Sequence, residues 1–372
     1  MKTRCSIFIF WFLTVSHVIL SQQVVSGRIT DAADGTPLAY ASVAVANTTI
    51  GTYSDESGNY KLTISGNGSY EIIVHYLGYQ PVFHKIDKPK PFHQIDIALK
   101  INEVEIQEVS VMSAKSKHKQ NDIDMFWRII LGVKPSKDGL EVLNPKKVNF
   151  YLGNTGILTA SCEEPIEIIN HELGYHISYV LQSFRLDYPK DEVNFYGRPY
   201  FEELKPKNIN QQKLWEKKRQ DVYAISITHF IRALYQKQIY EEGFLLVKRD
   251  PLLNSNTIFP LNDILRTDQN QVLLTIESPL YLACFSKPVT DKMFEDSYKT
   301  MFVSTNHEFP VVLLHPQQIY IYSDGTYSGN LDVSELRKRF VGLSARLPIE
   351  YNLSTLPLST HSHDSESNGR LR

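Results

Sequence analysis

Residues 24–46 read VVSGRITDAADGTPLAYASVAVA, and this stretch settles the class of fold. From 24 to 30 apolar and polar residues alternate with the period of two that a half-buried strand requires. Asp34-Gly35 follows, a pair that accepts the positive φ of a tight hairpin turn. The run 37–46 alternates again in β-branched and small residues. Working outward, 48–53, 60–64, 70–77 and 94–99 repeat the pattern. Turn chemistry separates them at Asp55-Glu56-Ser57-Gly58-Asn59, Gly66-Asn67-Gly68 and Gly78-Tyr79-Gln80-Pro81. Roughly six or seven short strands at regular spacing, with no helical period, predict a small antiparallel sandwich.

The whole chain has 372 residues, room for two domains that each bury a core. Lys plus Arg number 39 and Asp plus Glu 41, so no global field points to nucleic acid or to an acidic surface. Met1-Lys2-Thr3-Arg4 is a short basic head, and 7–20 is an apolar run too short to span a bilayer comfortably. Residues 1–21 therefore read as a secretory signal cleaved after Ser21, the alternative being an uncleaved anchor. Cleavage leaves an exported mature chain without a transmembrane segment. Cys5 precedes the apolar run and so is not placed for lipid attachment at the cleavage point. Cys162 and Cys284 would remain, either as one bridge or as two buried thiols.

The residues of the sandwich also carry a likeness. Val25-x-Gly27-x-Ile29, then Asp34-Gly35-x-Pro37-Leu38-x-x-Ala41-x-Val43, Gly51-Thr52-x-x-Asp55-x-x-Gly58-x-Tyr60 and Leu77-Gly78-Tyr79 resemble the carboxypeptidase regulatory-like domain. The resemblance implies a transthyretin-like β-sandwich over 22–112. It also implies a non-catalytic role, because this module accompanies zinc carboxypeptidases or precedes the plug of TonB-dependent outer-membrane receptors. Residues 101–114, an alternating exit strand, resemble the segment that leads into such a plug. No plug-like sequence follows, and the remaining length is far short of a membrane barrel.

Residues 113–121, with the basic run KSKHKQ, read as a linker, and 122–351 as an α+β domain. Asp122 or Asp124 is placed to cap a helix carrying Ile123, Phe126, Trp127, Ile130 and Leu131 that Gly132 ends. Strands are expected at 148–152, 156–161, 165–170, 176–186, 194–204, 244–247, 272–276, 280–285, 299–304, 311–314 and 318–322. His171 to Tyr175 is a turn between two of them. Asp324-Gly325 turns into 326–330, a short helix is expected over 334–340, and 352–372 is expected to be a disordered tail. The stripe Trp215, Val222, Tyr223, Ile227, Phe230, Ile231 and Leu234 predicts one long helix over 210–240. The predicted fold class is thus mostly β and α+β: a transthyretin-like sandwich followed by an antiparallel sheet with one long helix.

Ile168-x-Asn170-x-x-Leu173-Gly174-Tyr175-x-Ile177-x-Tyr179, Tyr196-Gly197 and Trp215-x-x-x-Arg219-x-x-x-Tyr223-x-x-Ser226-x-x-His229-Phe230 resemble the uncharacterised region that follows this module in secreted envelope proteins. That resemblance implies no activity.

Catalytic signatures are sparse. A zinc carboxypeptidase needs a His-x-x-Glu pair with a distant His, and His363-x-x-Glu366 occurs only in the expected tail. In His171-Glu172-Leu173-Gly174-Tyr175-His176 the two histidines are one residue too far apart to stack on a helical face. Asp55 to Asn59 is far shorter than a calcium loop. No catalytic residue, metal or cofactor is assigned. The polar set Arg219, Tyr223, Ser226 and His229 falls at spacings of four, three and three, so a helix would place it on one face. It reads either as a network tying helix to sheet or as a ligand-contacting patch completed by Trp215, Tyr175 and Tyr179. The expected function is a non-enzymatic, exported binding protein of the cell envelope, periplasmic or outer-membrane-associated, recognising a protein or a carbohydrate. The alternatives are a hydrolase of envelope or dietary polymer with its site near Arg219 and His229, and an accessory to TonB-dependent uptake.

Overall fold

The computed structural model of the chain describes residues 22–66, 68–87, 90–102, 117–137, 139–250, 255–268, 271–285, 288–290, 311–328, 331, 333–335 and 342–351. The expected signal segment 1–21, most of the exit strand 101–114, the strand 299–304 and the tail from 352 lie outside the described residues. The fold is mostly β, with several antiparallel sheets and, among the described residues, three α-helices.

The N-terminal strands are β1 Gln22–Asp31, β2 Ser42–Val45, β3 Gly51–Tyr53, β4 Asn59–Ser65, β5 Tyr70–His75, β6 Val82–Ile86, β7 Phe92–Gln94 and β8 Ile97–Leu99. One sheet runs β4-β1-β7 with β8 also on β1, and the other runs β3-β2-β5-β6. The alternation read from the sequence sets the inner face: Val25, Ile29, Leu62, Ile64, Val43, Val45, Ile72 and Val74 interleave in one core. The stretch expected as a single strand over 94–99 is divided at Ile95-Asp96, and both halves pair parallel to β1. The strand expected over 37–46 shrinks to β2, because Tyr40 takes the left-handed region at φ 62°.

α1 (Lys117–Leu131) starts five residues earlier than Asp122 and inside the basic run. It lays Phe126, Trp127, Ile130 and Leu131 on a six-stranded sheet. That sheet comprises β9 Leu140–Val142, β10 Asn149–Leu152, β11 Ile157–Ser161, β12 Ile166–Asn170, β13 Tyr175–Asp187 and β14 Glu192–Glu203. The order is β10-β11-β13-β12-β9, with β14 on β13. Phe126 meets Phe184 edge to face at 4.8 Å and Phe150 at 5.1 Å.

The helix expected over 210–240 is two helices: α2 (Ile209–Ala224) and α3 (Ile227–Gln236). Asn208 caps α2 through the Gln211 amide. Ser226 caps α3: its backbone is extended and its Oγ accepts the His229 N–H at 3.1 Å. A serine that can satisfy a helix-start donor gives the backbone an alternative to continuing the previous helix, and here that alternative wins.

α3 buries Phe230, Ile231, Ala233 and Leu234 in a further core. That core draws on β15 Phe244–Asp250, β17 Leu265–Asp268, β18 Gln271–Ile276, β19 Leu280–Cys284, β20 Val311–Leu314 and β21 Gln317–Ile321, and β16 Ser255–Ile258 and β22 Val333–Glu335 complete the sheets. They form the sheets β16-β15-β19-β20-β22 and β17-β18-β21. Val333–Glu335 is strand where a helix over 334–340 was expected, and 336–340 lies outside the described residues. β6, β9, β16 and β17 are strands not expected from the sequence. Cys162 and Cys284 are both free thiols.

These units are fastened together. The outward face of β3-β2-β5-β6 lies on the outward face of β13 and β14, where Ala46 and Ile73 pack on Val180 with Phe83 and Tyr200 alongside. Arg198 Nε donates to Glu71 Oε2 at 2.7 Å, and the Tyr196 hydroxyl donates to the other Glu71 oxygen. Asn47 N–H reaches Pro199 O at 2.7 Å and Phe201 N–H reaches Thr48 O at 2.9 Å, so the 46–49 turn extends the edge of β14. The segment 342–351 then runs over all of them as a strap. Leu343 and Leu347 enter the core under α1, Ile349 N–H donates to Asn47 O at 2.7 Å, and Thr49 N–H donates to Glu350 at 2.7 Å. Arg232 of α3 holds the strap from below, donating to Ile349 O at 2.6 Å and Tyr351 O at 2.8 Å. It also donates to Asp324 O at 3.0 Å and the Tyr223 hydroxyl at 2.9 Å.

Replacing Arg232 by Ala leaves three carbonyls without their donor, so about 3 kcal/mol of stability should be lost. Urea denaturation of the whole chain measures this. Arg232→Lys should recover only a minor part, because an ammonium does not span the same fork of acceptors.

Candidate functional site

The seven residues singled out from the sequence divide into two groups. The first centres on the turn before β13. Gly174 has φ 69° and its α-carbon lies under the Trp215 indole, where a Cβ would sit 2.3 Å from the ring. Trp215 Nε1 donates to His171 O at 2.8 Å. One turn along α2, Arg219 donates to Leu173 O at 2.7 Å and Gly174 O at 3.2 Å, pairs with Glu203 at 3.0 Å, and stacks 4.1 Å over the Tyr175 ring. Every donor direction of this guanidinium is directed at the turn or at β14, which makes it a clamp of helix to sheet. Burial raises the Tyr175 hydroxyl far above the ordinary phenol value, the nearby Arg219 charge opposing it.

The second group lies at the α2–α3 break. His229 stacks on Tyr223 at 4.5 Å; its Nδ1 faces Ala224 O at 3.1 Å and its Nε2 faces Glu242 at 2.8 Å. Ser226 is the cap of α3. The break sends Arg219 and His229 to separate partners, where a continuous helix would have aligned them. Tyr179 stands apart from both, 3% exposed under Gly197, where a Cβ would come 2.6 Å from its hydroxyl. Burial pushes that phenol up to about 12 against the opposing charges of Arg346 and Arg198.

Sequence reasoning missed a recess at the junction. A cavity of 610 Å³ opens between the sandwich and the second part of the chain. Asn47, Ser69, Lys85 and Asp87 come from the sandwich side. Tyr196, Arg198, Tyr223, Ser226, Tyr327 and Arg346 come from the other. Tyr223 and Ser226 are the members of the expected set that reach it. Its rim is held by the Asp324 hairpin turn: the Tyr70 hydroxyl donates to Asp324 Oδ2 at 2.6 Å, and the Tyr322 hydroxyl to Asp87 O at 3.0 Å. Among the charged lining residues, Arg198 is paired with Glu71 and Arg346 Nη1 donates to Asn47 Oδ1 at 3.4 Å, with Lys85 and Asp87 also on the wall. The Asp324-Gly325 dipeptide was legible as a turn, but nothing local tells that the turn contacts residue 70.

The two histidines of the 171–176 stretch also go separate ways. His171 pairs with Glu141 at 3.0 Å, and His176 with Glu167 at 2.8 Å. Among the described residues, no three His, Cys, Asp or Glu side chains gather as metal ligands would.

Comparison with known proteins gives a family for the first part only. Residues 25–111 match the CarboxypepD_reg-like domain. No curated protein sequence matches the chain. Among solved structures, the chain is similar to BcpA, the major pilin subunit of Bacillus cereus, at 19% identity and a TM-score of 0.19. That match covers 22% of this chain and 30% of the pilin. It is also similar to a DUF3823 family protein of Bacteroides ovatus at 12% identity and a TM-score of 0.18, over 50% of this chain and 82% of that one. A third likeness is to a Bacteroides fragilis protein of unknown function described as membrane-associated, at 14% identity and a TM-score of 0.18, over 43% and 65%. At such TM-scores none of the three bears on the fold or the function of this chain. No helix among the described residues is long and apolar enough to cross a membrane.

Two outcomes check this account of the site. Arg219→Ala should lower the melting temperature by several degrees, since a change of ~1 kcal/mol corresponds to roughly 2–4 °C in a domain of this size, and Gly174→Ala should do more through the Trp215 contact. His176 should titrate above 6.5, because the Glu167 carboxylate favours its protonated form. A raised folded value means that its ion pair stabilises the fold fully at pH values below 6.5 and is lost as pH rises through the folded value. An NMR titration reads the midpoint, which Glu167→Gln should bring down. By the match over 25–111, the N-terminal sandwich is a carboxypeptidase regulatory-like domain.

Proposed function

We propose that this is a non-enzymatic binding protein of the cell envelope whose ligand, a protein segment or glycan of the envelope, enters the cavity at the junction. The observation that carries the reading is the make-up of that cavity: its walls come from both the regulatory-like sandwich and the second part of the chain, so it exists only in the docked arrangement. Tyr196 and Tyr327 offer aromatic edges, and Asn47, Ser69 and Ser226 offer hydrogen bonds. Lys85 and Arg346 suit a ligand bearing acidic groups.

The other residues of the expected patch support a binder by what they do. A hydrolase near Arg219 and His229 would gather carboxylates with both in one recess, whereas Arg219 ends on the 171–174 turn and His229 on Glu242. The basic head and the apolar run 7–20 support export to the periplasm or the outer-membrane surface. The proposed division is a signal over 1–21, the module over 22–112, a linker over 113–121, an α+β domain over 122–351 and a tail over 352–372.

Hydrogen exchange read by mass spectrometry, on the mature chain with and without solubilised envelope extract and soluble peptidoglycan fragments, tests the reading. Protection is expected at 196–198, 226–228 and 346–349, and it should weaken in Lys85→Glu, an exposed lining residue whose reversal leaves the packing alone. Protection confined to other segments, or unchanged in the variant, overturns it.

A further inference from the structure

The sandwich covers only part of the sheet face it sits on, and the uncovered remainder forms a step. Along β13, Val180 is buried beneath Ala46 and Ile73, while His176, four residues back on the same face, is partly open to solvent. The register places Glu167 beside Ser178 on one side, and Tyr200 and Glu202 across from Ser178 and His176 on the other. These side chains share the outward face, because Tyr175, Ile177 and Tyr179 occupy the inward one. The floor is therefore polar and acidic. Glu167 Oε2 accepts the Ser178 hydroxyl at 2.8 Å and meets His176 Nε2 at 2.8 Å, and Glu202 lies 3.6 Å from the other ring nitrogen.

The wall of the step is the edge of the sandwich. Tyr53 pairs with Ser42 across β2 and β3, and the Tyr200 hydroxyl lies close to the side chains of both Ser42 and Ser178, so wall and floor meet at Tyr200. Tyr53 stands 65% exposed on the outermost strand of its sheet. Tyr40, whose N–H donates to Ser54 O at 3.0 Å beside it, is 66% exposed. Tyr40 holds φ 62°, a conformation that a bulky side chain adopts at a steric cost. Two large rings kept in water at one rim, one on a strained backbone, are not explained by packing of the core.

We infer that this step is a second binding site, distinct from the cavity, which takes a neutral polysaccharide by stacking a sugar ring on Tyr53 and engaging its hydroxyls with Glu167, His176 and Glu202. A pyranose presents an apolar C–H face to a tyrosine ring and hydroxyl donors at its edge. Carboxylates accept those donors and, being charged, turn away an acidic glycan. Tyr40 extends the aromatic rim for a longer chain. A half-exposed carboxylate pair bridged by an imidazole gives orientation without needing a metal or cofactor.

Affinity electrophoresis of the mature chain in gels containing soluble starch, dextran, xylan or galactomannan, with polygalacturonate as the acidic comparator, tests the inference, and calorimetry on the best of them gives the Kd. At least one neutral polymer should retard the protein. Tyr53→Ala should weaken binding by about tenfold or more, the equivalent of losing one good stacking contact, and Tyr53→Phe should retain it. Glu202→Gln should weaken it less, and circular dichroism of all three should match the parent because both positions are largely exposed. Lys85→Glu, the cavity variant, should bind polysaccharide normally, which keeps the two sites separable. No retardation by any neutral polymer, retardation by polygalacturonate alone, or equal binding by Tyr53→Ala overturns the inference. So does the finding that Tyr53→Ala loses only a polypeptide partner.

Discussion

The guanidinium of Arg232 holds the arrangement together. It donates to two carbonyls of the strap, to the Asp324 carbonyl of the hairpin and to the Tyr223 hydroxyl. Asp324 in turn takes the Tyr70 hydroxyl of the sandwich on its side chain. Four distant pieces of chain are thus fixed through one planar group, which arginine alone among the side chains can serve with a rigid fork of donors. The carbonyls it satisfies belong to irregular backbone that has no ladder partner there, so the group does for loops what a sheet does for strands.

From that fixed arrangement the other features follow. The sandwich meets the second sheet through small residues, Ala44 and Ala46, which let the two faces approach closely, and through the Glu71 pair with Arg198 and Tyr196, which fixes their lateral position. Sheet faces that overlap only in part leave a recess at one side and a step at the other. Both are lined from two directions because both are by-products of the same incomplete overlap.

The sandwich was legible because its signals are local. Alternation set the inner faces, and Asp34-Gly35, Gly58 and Gly78 supplied positive-φ turns where they were expected. The α+β character of the remainder and most of its strands could be read the same way. One local signal was outvoted in that reading: Ser226 is a cap residue inside an apolar stripe that otherwise reads as one helix. The candidate residues Trp215 and Arg219 were legible as a set, but their partners are backbone carbonyls of the 171–174 turn, which no spacing rule encodes. Arg232 escaped notice because its partners are remote in sequence, and Lys85 and Arg346 because the cavity they line is built from segments remote in sequence.

The strap has a consequence for the order of assembly. Thr49 meets Glu350 across a sequence separation of 301 residues, and Asn47, Asn170 and Arg232 all wait for the same ten residues to arrive. A chain emerging from the ribosome, or threaded through a translocation channel, can close the β1–β8 sandwich early. Its outward sheet face, with Ala44, Ile73 and Phe83, then stays bare until the last part of the fold has emerged. Contacts of such long range form slowly, and an uncovered apolar sheet face is a surface on which nascent chains associate. The interval between making residue 100 and making residue 350 is therefore when this face is most open to association with other chains.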